Sequence, residues 1–148
     1  MSFIVQKDDG IIPQVLSAIL DECVNGVTLA DPDLEDAPII YANKAFETLT
    51  GYSQEEIIGL NCRFLQGDNR NQEGRFKIAE AMKKNQGVVV TLKNYKKDGT
   101  LFNNRLKIVP LLDKKQRVLY YLGVQYDITD KVNAEDEIRS LNELINAR

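Results

Sequence analysis

Cys62 lies in the run Gly59-Leu60-Asn61-Cys62-Arg63-Phe64-Leu65-Gln66-Gly67, flanked by a carboxamide and a guanidinium on a segment that reads as a turn or two of helix stopped by glycine. It is the one reactive side chain with a defined polar context. The chain contains no histidine and no tryptophan. Without histidine, the usual general acid–base, the commonest transition-metal ligand and the usual haem ligand are all missing. A Ser–His–Asp or His-metal hydrolase is therefore excluded. The second cysteine, Cys23, follows Val15, Leu16, Ile19 and Leu20 on an apolar helical stripe, where a thiol is expected to act as an inert small hydrophobe. Two cysteines do not resemble a disulfide framework and suit a reducing cytosol.

A second group of residues is defined by parity. Alternation along a strand puts Leu92 and Asn94 on one face, Asn104, Leu106 and Ile108 on one face of the next strand, and Gly123 and Gln125 on one face of the last. Three carboxamides among aliphatics make a poor plain core, because buried amides need partners.

The elements that must position these residues follow from the periods. Residues 11–24 read as a helix with Pro13 in its opening turn, stopped by Asn25-Gly26. Residues 27–31 and 39–43 read as two strands paired through the Asp31-Pro32-Asp33 turn region. Short helices follow: Lys44 to Thr50, a capping box from Ser53 to Glu56, and the Cys62 segment. A longer amphipathic helix spans Asn71 to Lys84, with Phe76, Ile78, Ala79, Ala81 and Met82 as its apolar positions. The period then changes to two. A strand from Val88, the Lys97-Asp98-Gly99 hairpin signal, a long strand to Leu112, a turn at 113–116 and a last strand to Ile128 complete the sheet. Ala134, Ile138, Leu141 and Ile145 then fall at 4-3-4 spacing on a charged tail. This order predicts an α+β domain, with helices gathered on one face of an antiparallel sheet.

At 148 residues the chain fits one domain with a real core. A net charge of −3 argues against a general nucleic-acid or anionic-membrane surface. No apolar run approaches the roughly 20 residues that span a bilayer, and the first ten residues do not read as a secretory signal. No nucleic-acid partner, no membrane attachment and a cytoplasmic location are expected.

The Cys62 run resembles the cysteine motif of light-oxygen-voltage (LOV) domains, the flavin-binding branch of the PAS superfamily. Four further segments resemble that family in the same order: Tyr41-Ala42-Asn43, Leu49-Thr50-Gly51-Tyr52, Asn94 to Gly99, and Gly123 to Thr129. The resemblance runs from about Gly26 to Thr129. It implies a PAS-like five-stranded antiparallel sheet with helices on one face, carrying N- and C-terminal flanking helices. The expected divisions are 1–24 for the N-terminal flanking helix, 25–129 for the flavin-binding core and 130–148 for the C-terminal helix.

The resemblance implies flavin mononucleotide (FMN) as cofactor. Asn94 and Asn104 would meet the pyrimidine edge of the ring, whose alternating donors and acceptors match paired C=O and NH₂ groups. Gln125 would hold the N4/N5 side, and Leu106 and Ile108 would help sandwich the ring. Arg63 and Gln66 would take the phosphate and ribityl chain, Arg70 and Arg75 would join them at the phosphate, and Asn61, Leu65 and Thr28 would complete the contacts. Two positions depart from the family pattern. Ala79 stands where many members carry another phosphate-binding arginine, and Asn103 stands where tryptophan is common. By alternation Asn103 faces away from the pocket.

The implied activity is blue-light reception, not enzymatic turnover. Cys62 would form a reversible light-driven bond to flavin C4a while N5 gains a proton. Gln125 would then rotate its amide, because a mismatched hydrogen bond there costs about 1–3 kcal/mol. A bias of that size shifts a balanced helix-docking equilibrium by roughly 5- to 100-fold. So short a chain leaves no room for an output domain, and a homodimer through the flanking helices is expected. A PAS ligand-sensing or dimerisation module without photochemistry is the alternative.

Overall fold

The computed structural model describes residues 18–147. Strands β1 (Gly26–Ala30) and β2 (Ile39–Ala42) lead into α1 (Lys44–Thr50), α2 (Gln54–Ile57), a 3₁₀ helix (Cys62–Gln66) and α3 (Glu73–Lys83). Strands β3 (Val88–Tyr95), β4 (Leu101–Leu112) and β5 (Val118–Asp127) follow, and α4 (Thr129–Asn146) comes last. The strands form one sheet in the order β2-β1-β5-β4-β3, with every neighbouring pair antiparallel. The fold is the expected α+β, PAS-like arrangement. The first strand ends up beside the last, so the two ends of the sheet-forming segment meet at its centre.

Local chemistry explains the connections. Ser53 and Glu56 make the reciprocal bonds of a capping box at the start of α2. Gly51 closes α1 at φ +80°, a left-handed cap that glycine adopts without penalty. Asn43 caps α1 and does more than cap. Its Oδ1 accepts from Phe46 N at 3.0 Å and Val27 N at 2.8 Å, while its Nδ2 donates to the carbonyls of Leu20 at 2.8 Å and Asn25 at 3.0 Å. One fully buried amide thus joins α1, β1 and the segment that precedes the sheet.

Two apolar clusters share the helix-covered side. Ile39, Ala42, Phe46, Ile57 and Leu65 form one, with Tyr52, Cys62 and Phe64 against it. Val90, Leu92, Leu106 and Ile108 form the other, packed by Ile78 and Met82 of α3. A third cluster gathers Leu29, Leu119 and Tyr120 with Leu20, Ile40 and Tyr41.

Two details differ from the sequence reading. Most of the predicted N-terminal helix lies outside the described residues; Ala18, Ile19 and Leu20 are helical, but Asp21 and Glu22 form a turn, so Cys23 falls beyond the helix and is exposed. Phe76 was expected on the apolar face of α3, yet it is 57% exposed. Gly74 and Ala81 are the residues α3 buries, because their small side chains admit the sheet: a Cβ at Gly74 would lie 2.8 Å from Leu92 Cδ2. In keeping with the stripe read from its spacing, α4 buries none of its residues, and Ile138, Leu141, Leu144 and Ile145 are all exposed.

Candidate functional site

The 3₁₀ helix that carries Cys62 is set by its two ends. Asn61 is its N-cap, with Oδ1 accepting from Arg63 N at 3.0 Å. Gly67 ends it at φ +55°. Cys62 is partly buried as a residue and lines the wall of a cavity of about 400 Å³. Burial of the thiol pushes its pKa above the usual thiol range, and the Arg63 charge offsets this only in part. Burial therefore favours the protonated thiol.

The cavity draws on both apolar clusters of the helix-covered side. Ile39, Phe46 and Leu65 face it from one, and Leu92, Leu106, Ile108, Ile78 and Met82 from the other. This is the usual composition of a ligand site, apolar walls with few polar groups.

Those polar groups are concentrated on the sheet. Asn104, 1% exposed, donates through Nδ2 to Asn94 Oδ1 and to Gln125 Oε1, both at 2.9 Å. Gln125 Nε2 is left with a long 3.5 Å contact to Thr28 Oγ1. Thr28 pairs with Gly123 across β1 and β5, and a Cβ at Gly123 would lie 2.7 Å from the Thr28 hydroxyl and 3.2 Å from Gln125 Nε2. Only glycine leaves the hydroxyl and the amide room to face each other. Thr28, Asn94 and Gln125 line the cavity; Asn104, on the strand between those of Asn94 and Gln125, is not part of its wall and spends both donated bonds on these neighbours. Its Oδ1 is buried without a protein partner.

The other end of the cavity is cationic. Arg63, Arg70 and Arg75 line it together with Asn61 and Gln66. Arg70 Nε and Gln66 Oε1 are buried with no partner among the described residues. Arg75 donates from Nη1 to the Arg70 carbonyl at 3.2 Å and lies 5.6 Å from the Phe76 ring centroid. Arg63 is engaged by the carboxylate of Asp36.

Buried polar atoms without partners are rare in folded proteins and call for a ligand or water. Among the described residues the orphans are the Asn104 amide oxygen in the sheet's amide cluster, and a guanidinium N–H and a glutamine oxygen on Arg70 and Gln66, which line the cavity. A polar-rimmed ligand with an anionic group suits that cavity wall, which also carries the thiol.

Of the predicted site residues, all but Asn104 reach the cavity wall. Ala79 also lines it, so the position where an arginine was absent does face the site. Asn103 does not line it; its backbone instead holds the junction of β5 and α4, donating to Thr129 Oγ1 at 2.8 Å and accepting from Ile128 N at 2.9 Å. Sequence reasoning missed Tyr121, although it shares strand parity with Gly123 and Gln125. It also missed Ala30, Ala37, Ile39 and Phe46, whose aliphatic and aromatic character gives no signal beyond core.

Residues 24–130 match the PAS domain family. A blue-light photoreceptor of Listeria monocytogenes is 44% identical over 120 residues, covering 80% of this chain and 47% of that protein. The chain therefore spans about half the length of that relative. Among solved structures, an RNA-binding light-oxygen-voltage receptor superposes with a TM-score of 0.81 at 30% identity, over 99% of this chain and 42% of the other. The LOV domain of a blue-light activated histidine kinase from Erythrobacter litoralis is 38% identical with a TM-score of 0.69, over 73% of this chain and 99% of that one.

Proposed function

Because the chain belongs to the PAS family and, within it, to the LOV domains, we propose that it is a blue-light photoreceptor that holds FMN in the sheet cavity and responds to light through Cys62. The observation that carries this reading is one desolvated thiol in the same cavity wall as Asn94, Gln125 and Thr28.

Asn94 and Gln125 would bind the polar rim of the ring, and Asn104, on the strand between them, would hold both amides in register. Leu65, Leu106 and Ile108 would sandwich the ring, excluding water. Arg63, Arg70, Arg75, Gln66 and Asn61 would hold the phosphate and ribityl chain. Bound FMN would supply the light absorption and an electrophilic ring carbon, and Cys62 would supply the thiol and its proton beside the ring.

Gln125 is built to respond. Its Nε2 is tied only by the long contact to Thr28, and a hydroxyl can donate as well as accept, so Thr28 can serve either orientation of the amide. Gln125 lies on β5, which runs through Asp127 directly into α4. That junction is fastened to β4 at Asn103, so a shift of β5 reaches the helix by a short covalent route. The exposed stripe of Ile138, Leu141 and Ile145 supports a homodimer formed through α4. Two free cysteines suit a reducing compartment, the cytoplasm. The role is sensory, with no turnover of a substrate.

An absorption spectrum of the purified protein before and after a blue flash tests the assignment. A flavin spectrum that bleaches and recovers in the dark, and that no longer bleaches in Cys62→Ala, is the expected result. Protein that stays colourless after flavin is added rejects it in favour of a ligand-sensing PAS module, and identical bleaching without the thiol rejects the role of Cys62.

A further inference from the structure

The loop between β1 and β2 ends in a turn that no glycine relieves. Asp36 and Ala37 carry φ of +66° and +43°, in the left-handed region that side chains with a Cβ avoid. Two contacts hold it there. Asn61 Nδ2 donates to the Asp36 carbonyl at 2.7 Å, and the Arg63 guanidinium closes on the Asp36 carboxylate. The turn thereby sets one anion against the cationic end of the cavity, where Ala37 forms part of the wall beside Arg63, Arg70 and Arg75. The hydrogen bond from Arg63 holds the Asp36 carboxyl below the usual carboxylate range, and the charges of Arg63 and Arg70 add to the attraction. A backbone conformation this unfavourable persists only where its surroundings fix it. Here Asn61 and Arg63, which flank Cys62, fix it together with the turn's own bond from Ala37 N to the Leu34 carbonyl at 3.1 Å.

We propose that Asp36 is an internal competitor for the cofactor's phosphate, a specificity-determining residue that sets how far the pocket prefers a phosphorylated flavin to the unphosphorylated one, riboflavin. The inference rests on the flavin-binding reading above. A phosphate and the Asp36 carboxylate are both anions that seek the Arg63 guanidinium. With riboflavin bound, Arg63 keeps Asp36. With FMN bound, Arg63 is shared, and two anions are brought toward one another. Asp36 therefore weakens FMN binding, leaves riboflavin binding alone and narrows the ratio between them. The side chains of the pair are 40% and 55% exposed, so solvent and salt screen the effect to a few-fold.

The test compares dissociation constants of FMN and riboflavin for the whole chain by quenching of flavin fluorescence, at low and high salt. Asp36→Asn should raise the FMN-to-riboflavin affinity ratio about two- to fivefold at low salt. Riboflavin affinity should not change, the gain should shrink at high salt, and it should vanish in an Arg63→Gln background. Asparagine tolerates the left-handed turn. Asp36→Gly, whose backbone adopts it freely, must show the same gain if charge and not turn geometry is responsible. A ratio that stays put, or affinities for both flavins that rise together, overturns the role of Asp36. An unaltered chain that binds neither flavin removes the proposed function first, and this inference with it. Binding of both flavins with an unmoved ratio removes only the inference.

Discussion

Replacing Asn104 with leucine exposes the logic of the amide cluster. Leucine has a similar branched outline, and the adjoining cavity of about 400 Å³ offers room for its extra volume. The change deletes one Nδ2 that serves two acceptors, Asn94 Oδ1 and Gln125 Oε1, each at 2.9 Å. Stranding a buried acceptor costs about 1–3 kcal/mol, so the two losses together come to roughly 2–6 kcal/mol on the same scale. Against this, the substitution removes Asn104 Oδ1, itself buried without a protein partner, which returns about 1–3 kcal/mol. Asn94 also borders the cavity and can turn toward water there. The net expectation for the flavin-free protein is a loss of about 2 kcal/mol. For a chain of this size that lowers Tm by roughly 8 °C.

The decisive comparison is the triple variant Asn94→Leu, Asn104→Leu, Gln125→Leu. It strands none of the cluster's acceptors, and replacing all partners by apolar groups is nearly neutral. Its loss should therefore be smaller than that of Asn104→Leu alone, although it removes more hydrogen bonds. Urea unfolding followed by circular dichroism, with an unchanged slope, measures both. If the single change costs less than about 0.5 kcal/mol, or the triple loss equals the sum of the singles, the amides act independently and the reasoning is refuted.

The Cys62 thiol and the Asn43 hub carry two further expectations. Burial raises the pKa of Cys62 in the folded state, so above the ordinary thiol range, near about 8.5, the folded protein keeps a proton that the unfolded chain has lost. The stabilising contribution is thus complete below that range and fades as pH climbs toward the folded pKa, by at most about 1.4 kcal/mol per pH unit. Urea midpoints measured from pH 7 to 10 should fall more steeply for the unaltered protein than for Cys62→Ala, and parallel curves would count against a desolvated thiol. Asn43→Ala removes four hydrogen bonds from a fully buried amide. A loss of about 3 kcal/mol is expected from the lost cap and stranded backbone groups, and amide exchange at Val27 should accelerate with it.

Much of the architecture was legible in the chain because its signals are short-range. The Ser53–Glu56 capping box, the Lys97-Asp98-Gly99 hairpin and the alternation along Leu92, Asn94, Asn104, Leu106 and Ile108 each depend on residues a few positions apart, and each forms as read. The sterics that set periods of 2 and 3.6 act locally, so the residues that share a face follow from spacing alone. The Cys62 segment, with its asparagine cap and its glycine stop, belongs to the same class.

What tertiary structure decided is who meets whom across that face. Gln125 meets Thr28 from 97 positions away because β1 pairs with β5. Asn104 bridges Asn94 and Gln125 with one NH₂ group because β4 lies between β3 and β5 in the sheet. Asp36 reaches Arg63 through a left-handed turn that composition gives no reason to expect. Cys23 and Phe76 show the converse: helical spacing marked them as core, but the helix ends before Cys23, and a helix buries a side only where another element lies against it, which leaves Phe76 exposed. Sequence thus set which side chains were available on each element. The order in which the strands close decided which of them share a cavity, because that order is a property of the assembled sheet and not of any one segment.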